Sequence, residues 1–157
     1  EESLRIKIKV LGHEHIDVAQ SLVGIGIVYS QQGKHGLALA KFEQALAIQV
    51  KALGHEHVDV AQSLNNIGFL QCRKQEYQQA HANFERAHAI ISSAVGSGHS
   101  LFYTSQGGVV ICKKHLRRDQ QTFQGEFDEA VTGLRELLGD GAEGLIAEMC
   151  SSWDSVE

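Results

Sequence analysis

Two histidine-rich triplets are the residues of this sequence best suited to bind a metal ion. Residues 13–15 and 55–57 both read His-Glu-His, and imidazole and carboxylate groups are good zinc ligands. Consecutive residues on a turn do not give the i, i+4 spacing of a helical metal site. His15 and His57 each stand directly before an apolar-periodic segment, where a side chain can satisfy the free N–H groups of a helix start. We therefore predict helix capping at both positions and no bound metal.

Other patterns that could support catalysis are incomplete. The glycine-rich residues 105–108 lack the Gly-Lys-Ser/Thr ending of a phosphate-binding loop and do not follow a predicted strand. Cys72, Cys112 and Cys150 are odd in number and far apart, which argues against a disulfide framework or a zinc finger. No local context marks a nucleophile, so we predict a protein without catalytic residues or cofactor. Unpaired cysteines favour a reducing, intracellular setting, most simply the cytoplasm.

Charge and hydropathy exclude two further classes of protein. The 157 residues carry a net charge of −5, which does not suit a nucleic-acid-binding chain. No apolar run approaches the roughly 18–20 residues that a membrane span needs. The charge is unevenly distributed, since residues 1–118 carry +4 and residues 119–157 carry −9. The basic run at 113–118 is interpreted either as a solvated helix end or as a site for a partner or localisation factor.

An internal repeat organises the chain. The sequence LGHEHIDVAQSL at 11–22 returns as LGHEHVDVAQSL at 53–64, a period of 42 residues. A third, weaker copy begins near Val95-Gly96 and contains His99. It accepts about eight extra residues near 116–123 and is expected to resume at Gln124-Gly125, which matches the Gln-Gly pair at 32–33.

Each repeat unit has helical periodicity and a glycine turn. In the first unit, apolar or small residues recur at three- and four-residue steps in two stripes: Ala19, Leu22, Ile25, Gly26 and Tyr29, then Leu37, Ala38, Ala40, Phe42, Ala45, Leu46 and Ile48. Gln32-Gly33 separates the stripes, so each unit is predicted to be a helix hairpin. The absence of proline among 157 residues agrees with long helices. Such hairpins must stack on one another to bury their second faces.

The repeat divides the chain into five segments. Residues 1–11 are the end of a preceding unit's second helix, 12–53 the first unit, and 54–94 the second. Residues 95–139 form a degenerate third unit with the insertion near 116–123, and 140–157 form an acidic tail or capping helix. The chain starts in mid-unit and without methionine, so it is interpreted as a piece of a longer array.

The repeat resembles the tetratricopeptide (TPR) signature. The spacing of Leu22, Ile25, Gly26 and Tyr29, followed by Ala38, Phe42 and Ala45, carries this resemblance. The 42-residue length and the Leu-Gly-x-x-His-x-Asp-Val-Ala junctions look like the kinesin light chain family of these repeats. Ile16 and Val58 stand where that family usually has proline. The resemblance implies an all-α fold, a TPR-type α-solenoid of stacked antiparallel helix hairpins, with about two clear repeats, a half repeat at the N-terminus and a degenerate third.

The first helices of such hairpins line a concave surface that suits a peptide. From the helix phase, the residues expected to face it are Gln20, Val23, Ile27, Gln62, Asn65, Asn66, Phe69 and Arg73. The resemblance implies that asparagine at position 66 bonds a ligand's backbone. We therefore predict a non-catalytic scaffold or adaptor that binds a partner protein or peptide in this groove. The alternative is a structural or regulatory subunit packed into a larger multiprotein assembly.

The acidic C-terminal segment contains Trp153 and Asp154. The resemblance implies partners with tryptophan flanked by acidic residues, because light-chain repeats recognise such segments as a family. The tail itself resembles such a ligand, so it is predicted either to dock in the groove of its own or a neighbouring solenoid, or to cap the last helix.

Overall fold

Helices dominate the computed structural model, which describes residues 2–117 and 120–154; the side chains of residues 117, 120–124, 140 and 152–154 are outside this description. Within the described ranges there are eight α-helices and no strand. They are α1 (Glu2–Leu11), α2 (Ile16–Gln31), α3 (His35–Leu53), α4 (Val58–Arg73), α5 (Tyr77–Ala94), α6 (Ser100–Arg117), α7 (Gln120–Leu138) and α8 (Glu143–Asp154). The all-α class predicted from the sequence is confirmed.

The helices pair into three hairpins that stack in order. Helix α2 packs on α3, α4 on α5 and α6 on α7, and each hairpin contacts the next through α3 against α4 and α5 against α6. Helix α1 contacts α2, and α8 contacts α6 and α7. The first helices α4, α6 and α8 are neighbours along one side of the stack.

The buried faces of the hairpins follow the repeat. In the first hairpin the core contains Ala19, Leu22, Ala38, Phe42 and Ala45, each at most 5% exposed. The equivalent positions of the second hairpin are also buried: Ala61, Leu64, Ala80, Phe84 and Ala87. Leu37 and Ala40 depart from the predicted stripe, because both side chains are exposed near the start of α3.

Histidines begin the first helix of each hairpin. Nδ1 of His15 accepts a hydrogen bond from the N–H of Asp17 at 3.2 Å, and Nδ1 of His57 accepts one from the N–H of Asp59 at 3.1 Å. His99 does the same for the N–H of Leu101 at 3.2 Å. The predicted capping role of His15 and His57 is therefore confirmed. Among the residues that the structure describes, no group of three or more His, Cys, Asp or Glu side chains could hold a metal ion.

A glycine with positive φ marks every junction between units. These glycines are Gly12 (φ 87°), Gly54 (85°), Gly96 (67°) and Gly139 (55°). In each case the next α-helix begins four residues later. Helix α8 therefore occupies the place of a first helix in a further unit. Its Ile146 and Met149 are buried in the same core cluster as residues of α6 and α7.

Close approach between helices depends on glycines that face aromatic rings. A Cβ added to Gly26 would lie 2.6 Å from the ring of Phe42, and one added to Gly68 would lie 2.9 Å from that of Phe84. Phe84 also packs against the next hairpin, because a Cβ added to Gly108 of α6 would lie 2.4 Å from its ring. Phe84 thus fits between two glycine surfaces, one on α4 and one on α6.

The third hairpin has a different glycine–aromatic contact. Gly133 lies on the second helix and faces Tyr103 on the first, with a built Cβ only 2.3 Å from the ring. Val110, which stands at the usual glycine position, is a buried core residue at 2% exposure. The second helix keeps a buried aromatic residue, Phe127, which stands 12 residues before Gly139 as Phe42 and Phe84 stand 12 residues before Gly54 and Gly96.

The predicted turn at Gln124-Gly125 is wrong. Both residues lie within α7, and residues 116–117 and 120–123 of the expected insertion extend α6 and α7. The connection between the two helices falls at residues 118–119, outside the described part of the chain. The third unit is only one residue longer than 42, measured between Gly96 and Gly139.

An aromatic contact joins the second and third hairpins. The rings of Tyr77 and His115 stack with their centroids 3.9 Å apart. Nδ1 of His115 lies 2.8 Å from the carbonyl oxygen of Ile111, while its Nε2 is buried without a hydrogen-bond partner in the described structure. Burial lowers the pKa of His115 below its ordinary value, because charging the ring there would cost solvation energy.

Candidate functional site

A groove runs along the side of the stack formed by the first helices. It encloses about 920 Å³, and α2, α4, α6 and α8 all contribute to its walls. Helix α4 lies in the middle and supplies the most side chains, from Val58 to Arg73. We refer to this cavity as the concave groove. Its size is within the range of sites that bury a ligand, and its open form suits an extended segment.

Six of the eight residues predicted to face the groove do line it. They are Ile27, Gln62, Asn65, Asn66, Phe69 and Arg73. Gln20 is exposed but lies outside the groove. Val23 is half-buried and packs instead against the apolar clusters around Leu22 and Phe42. Helices α1 and α3 contact this part of α2, so the repeat position that lines the groove as Asn65 in α4 packs against apolar side chains as Val23 in α2.

Asn65 is the most unusual side chain of the groove. It is only 2% exposed, and neither its Oδ1 nor its Nδ2 has a hydrogen-bond partner in the described structure. Nδ2 of the adjacent Asn66 is likewise buried without a partner. Buried amides are normally hydrogen-bonded, because leaving one unpaired costs about 1–3 kcal/mol. The floor of the groove therefore holds unused donors and an unused acceptor side by side.

Phe69 and Arg73 have structural contacts of their own. Phe69 is 6% exposed and packs edge-on against Phe84, with the ring centroids 5.0 Å apart, so it presents little surface to a ligand. The guanidinium of Arg73 lies 3.6 Å from the carboxylate of Glu148 on α8. The charge of Arg73 is therefore partly neutralised by the protein itself.

Helix α8 forms one end of the groove. Its residues Gly144, Leu145, Ala147, Glu148 and Ser151 line the cavity. Trp153 and Asp154, the residues of the predicted self-docking tail, belong to the last turn of α8, and their side chains lie outside the described part of the structure.

Sequence reasoning missed the contribution of α8. The signal was present in the sequence, since Leu138-Gly139 repeats the Leu-Gly pairs at 11–12 and 53–54 that precede first helices. Thr104 of α6 also lines the groove, and it was missed because the third repeat was aligned only weakly.

The comparisons with known proteins agree with this architecture. The tetratricopeptide repeat profile matches residues 1–49 and 37–93, which together cover more than half of the chain. No curated protein matches the chain with significance.

Solved structures with a similar fold include the nearly identical TPR-like repeats of a protein designated a kinesin light chain in Podosopora anserina. One of them, a single-substitution variant, has a TM-score of 0.64 and 22% identity over 85% of this chain and 62% of that chain. Another has a TM-score of 0.59 and 24% identity over 85% of this chain and 61% of that one. The chain thus spans about three fifths of these solved chains, and at such identities the likeness concerns the fold.

No helix in the described ranges combines the length and apolar character that crossing a membrane requires. The repeat period, the stacked hairpins and the family profile lead to one conclusion. The chain belongs to the tetratricopeptide repeat family.

Proposed function

We propose that this protein is a non-catalytic adaptor that holds an extended segment of a partner protein in the concave groove. The observation that carries the proposal is the buried, unpaired amide of Asn65 at the floor of the groove. The tetratricopeptide family supports it, since these repeats generally serve protein interaction. The odd number and wide sequence spacing of the cysteines support an intracellular location for the complex.

The chemistry of the groove floor fits a peptide backbone. An amide side chain offers two N–H donors and one carbonyl acceptor, and each residue of an extended peptide offers one N–H and one C=O. A ligand that draws the amides of Asn65 and Asn66 into the groove and bonds them would remove the energetic penalty of their unpaired atoms. These amides would then contribute more binding free energy than exposed amides, because exposed amides are already hydrogen-bonded to water in the free protein.

The side chain of the partner is a further part of the proposal. An acidic segment with a tryptophan would place its carboxylate near Arg73, and the apolar face of Ile27 would adjoin its ring. Glu148 competes for Arg73 at 3.6 Å, so an acidic partner would have to displace this carboxylate. Substituting Glu148→Gln should therefore raise the affinity for an acidic peptide and leave that for a neutral one unchanged.

A matched pair of glutamines tests the groove. Gln62 lines the groove, while Gln20 stands 42 residues earlier at the same repeat position and lies outside it. With a partner first purified on the wild-type chain, calorimetry should show that Gln62→Ala weakens binding by about two- to tenfold, the loss of one hydrogen bond. Gln20→Ala should leave the affinity unchanged. Equal effects of the two substitutions would contradict the proposal.

The second candidate function is that of a subunit in a larger assembly. It is favoured by exposed apolar side chains on the second helices, where Leu37 of α3 is 52% and Leu137 of α7 is 42% exposed. A subunit of this kind would lose its partner when Leu37→Ser changes α3, and would keep it when Gln62→Ala changes the groove. The adaptor is expected to give the opposite pattern in the same pull-down.

A further inference from the structure

Two cysteine thiols from different hairpins are in contact. Cys72 lies on α4 and Cys112 on α6, and their Sγ atoms are 3.7 Å apart. Both belong to the core cluster that joins the second and third hairpins, with exposures of 6% and 0%. Forty residues of chain separate them, so the contact exists only in the folded protein.

We propose that Cys72 and Cys112 form an oxidation site, at which a peroxide converts the contacting thiols into a disulfide that links the second hairpin to the third. This inference is independent of what the groove binds.

The reaction has two steps. The thiolate of Cys72 attacks one oxygen of the peroxide; the O–O bond breaks, hydroxide leaves, and Cys72 becomes a sulfenic acid. The hydroxide released in the first step then takes the proton of the Cys112 thiol and becomes water, and the Cys112 sulfur attacks the Cys72 sulfur. The S–S bond forms, the S–O bond breaks, and the oxygen leaves as hydroxide, which takes up the proton that Cys72 had released and becomes the second water. With hydrogen peroxide the sum is two thiols and one peroxide giving one disulfide and two molecules of water. The sulfur atoms are oxidised and the peroxide oxygens reduced.

The local structure assigns the first step to Cys72. Its side chain reaches the surface slightly, whereas Cys112 is fully buried. The hydrogen bond with Cys72, together with burial, raises the pKa of Cys112, which makes this thiol the poorer first nucleophile.

Closing the bond requires a modest movement. The Sγ atoms must approach from 3.7 Å to the disulfide length of about 2.05 Å. Cys72 is the last residue but one of α4, where a helix end adjusts more easily than its middle. The short turn before α5 can absorb the shift.

The bond would fix the spacing of two helices that line the concave groove. Because it closes a loop of some forty residues, it should also restrict the unfolded chain and raise the melting temperature by about 5 °C or more.

Peptide mapping of the oxidised full chain tests the proposal. The protein is treated with hydrogen peroxide, the remaining thiols are blocked, and the chain is digested with trypsin without reductant. Cleavage after lysine and arginine places the three cysteines on separate peptides, residues 52–73, 87–113 and 136–157. We expect peptide 52–73 to be joined to 87–113, and a reductant to release them.

The half-buried Cys150 serves as the reference thiol. A Cys150→Ala variant should form the same cross-link with the same rise in melting temperature, whereas Cys72→Ala should form none. A cross-link through Cys150, a sulfinic acid on Cys72 in the folded wild-type chain, or three thiols that stay reduced would each overturn the proposal.

Discussion

Replacing Asn65 by valine should make the protein more stable and a weaker binder. Asn65 is 2% exposed and its amide atoms have no partner in the described structure. Valine is the residue at the equivalent position of the first repeat, where Val23 is half-buried and packs against apolar side chains. The two residues have similar helix propensities, so the change acts mainly through the amide.

The size of the effect follows from the unpaired amide. A buried amide without partners costs about 1–3 kcal/mol, and Asn65→Val removes this penalty. The free energy of unfolding should therefore rise by about 1–3 kcal/mol, and the melting temperature by about 2–4 °C for each kcal/mol in a chain of this length. The affinity for the groove ligand should fall by about tenfold or more, because the ligand's backbone groups would lose their partners on binding.

Urea denaturation followed by far-UV circular dichroism measures the stability, and calorimetry with the purified partner measures the affinity. The reverse change, Val23→Asn, is the matched control and should destabilise the chain by a similar or larger amount. If Asn65→Val lowers the stability, the amide is already satisfied in the free protein. It would then be part of the fold, and the argument for a ligand at the groove floor would fail.

Four further substitutions test the packing, the turns and the pH response. Gly108→Ala should lower the free energy of unfolding by about 1–3 kcal/mol in urea titrations, because the new methyl group meets the ring of Phe84. Gly24→Ala is the control, because its methyl group meets nothing within 4 Å, and it should stabilise α2 by up to about 1 kcal/mol. Gln75 has φ 62°, a conformation that favours glycine, so Gln75→Gly should raise the free energy of unfolding by about 1 kcal/mol in the same titrations. An unchanged or lower free energy of unfolding would contradict the positive φ of this residue. Since burial lowers the pKa of His115 in the folded chain, the unfolded chain takes up this proton first as the pH falls below about 6.5. The free energy of unfolding should therefore decrease from that pH downward, and His115→Phe should reduce this slope; an unchanged slope would assign it to other groups.

The sequence predicted the first two hairpins well, because the periodicity and burial of their residues agree. Ala19, Leu22 and Phe42 recur at helical spacing in the sequence and are buried in the structure. The third hairpin was harder to predict. A Gln-Gly pair at 124–125 resembles a turn, yet glycine also adopts helical angles, and Gly125 lies inside α7, where Phe127 and Ala130 are buried in the core.

Groove residues were predicted less reliably than helices, because the phase of a helix does not reveal what covers it. Val23 and Asn65 share one repeat position, but α1 and α3 contact the first, whereas the second lies at the open groove. The ion pair between Arg73 and Glu148 joins residues that are 75 positions apart in the sequence, and no local sequence pattern predicts such a contact.

The position of Phe84 between Gly68 and Gly108 has a consequence for how the molecule opens. The core cluster that includes Phe84 extends from α4 to α8, whereas α1, α2 and α3 rest on smaller, separate clusters. In a linear array, the units with weaker interfaces open first. Amide hydrogen exchange should therefore form a gradient, fast in α1 and α2 and slow in α5 and α6. The array would come apart from its N-terminal hairpin while the later hairpins open together as one unit.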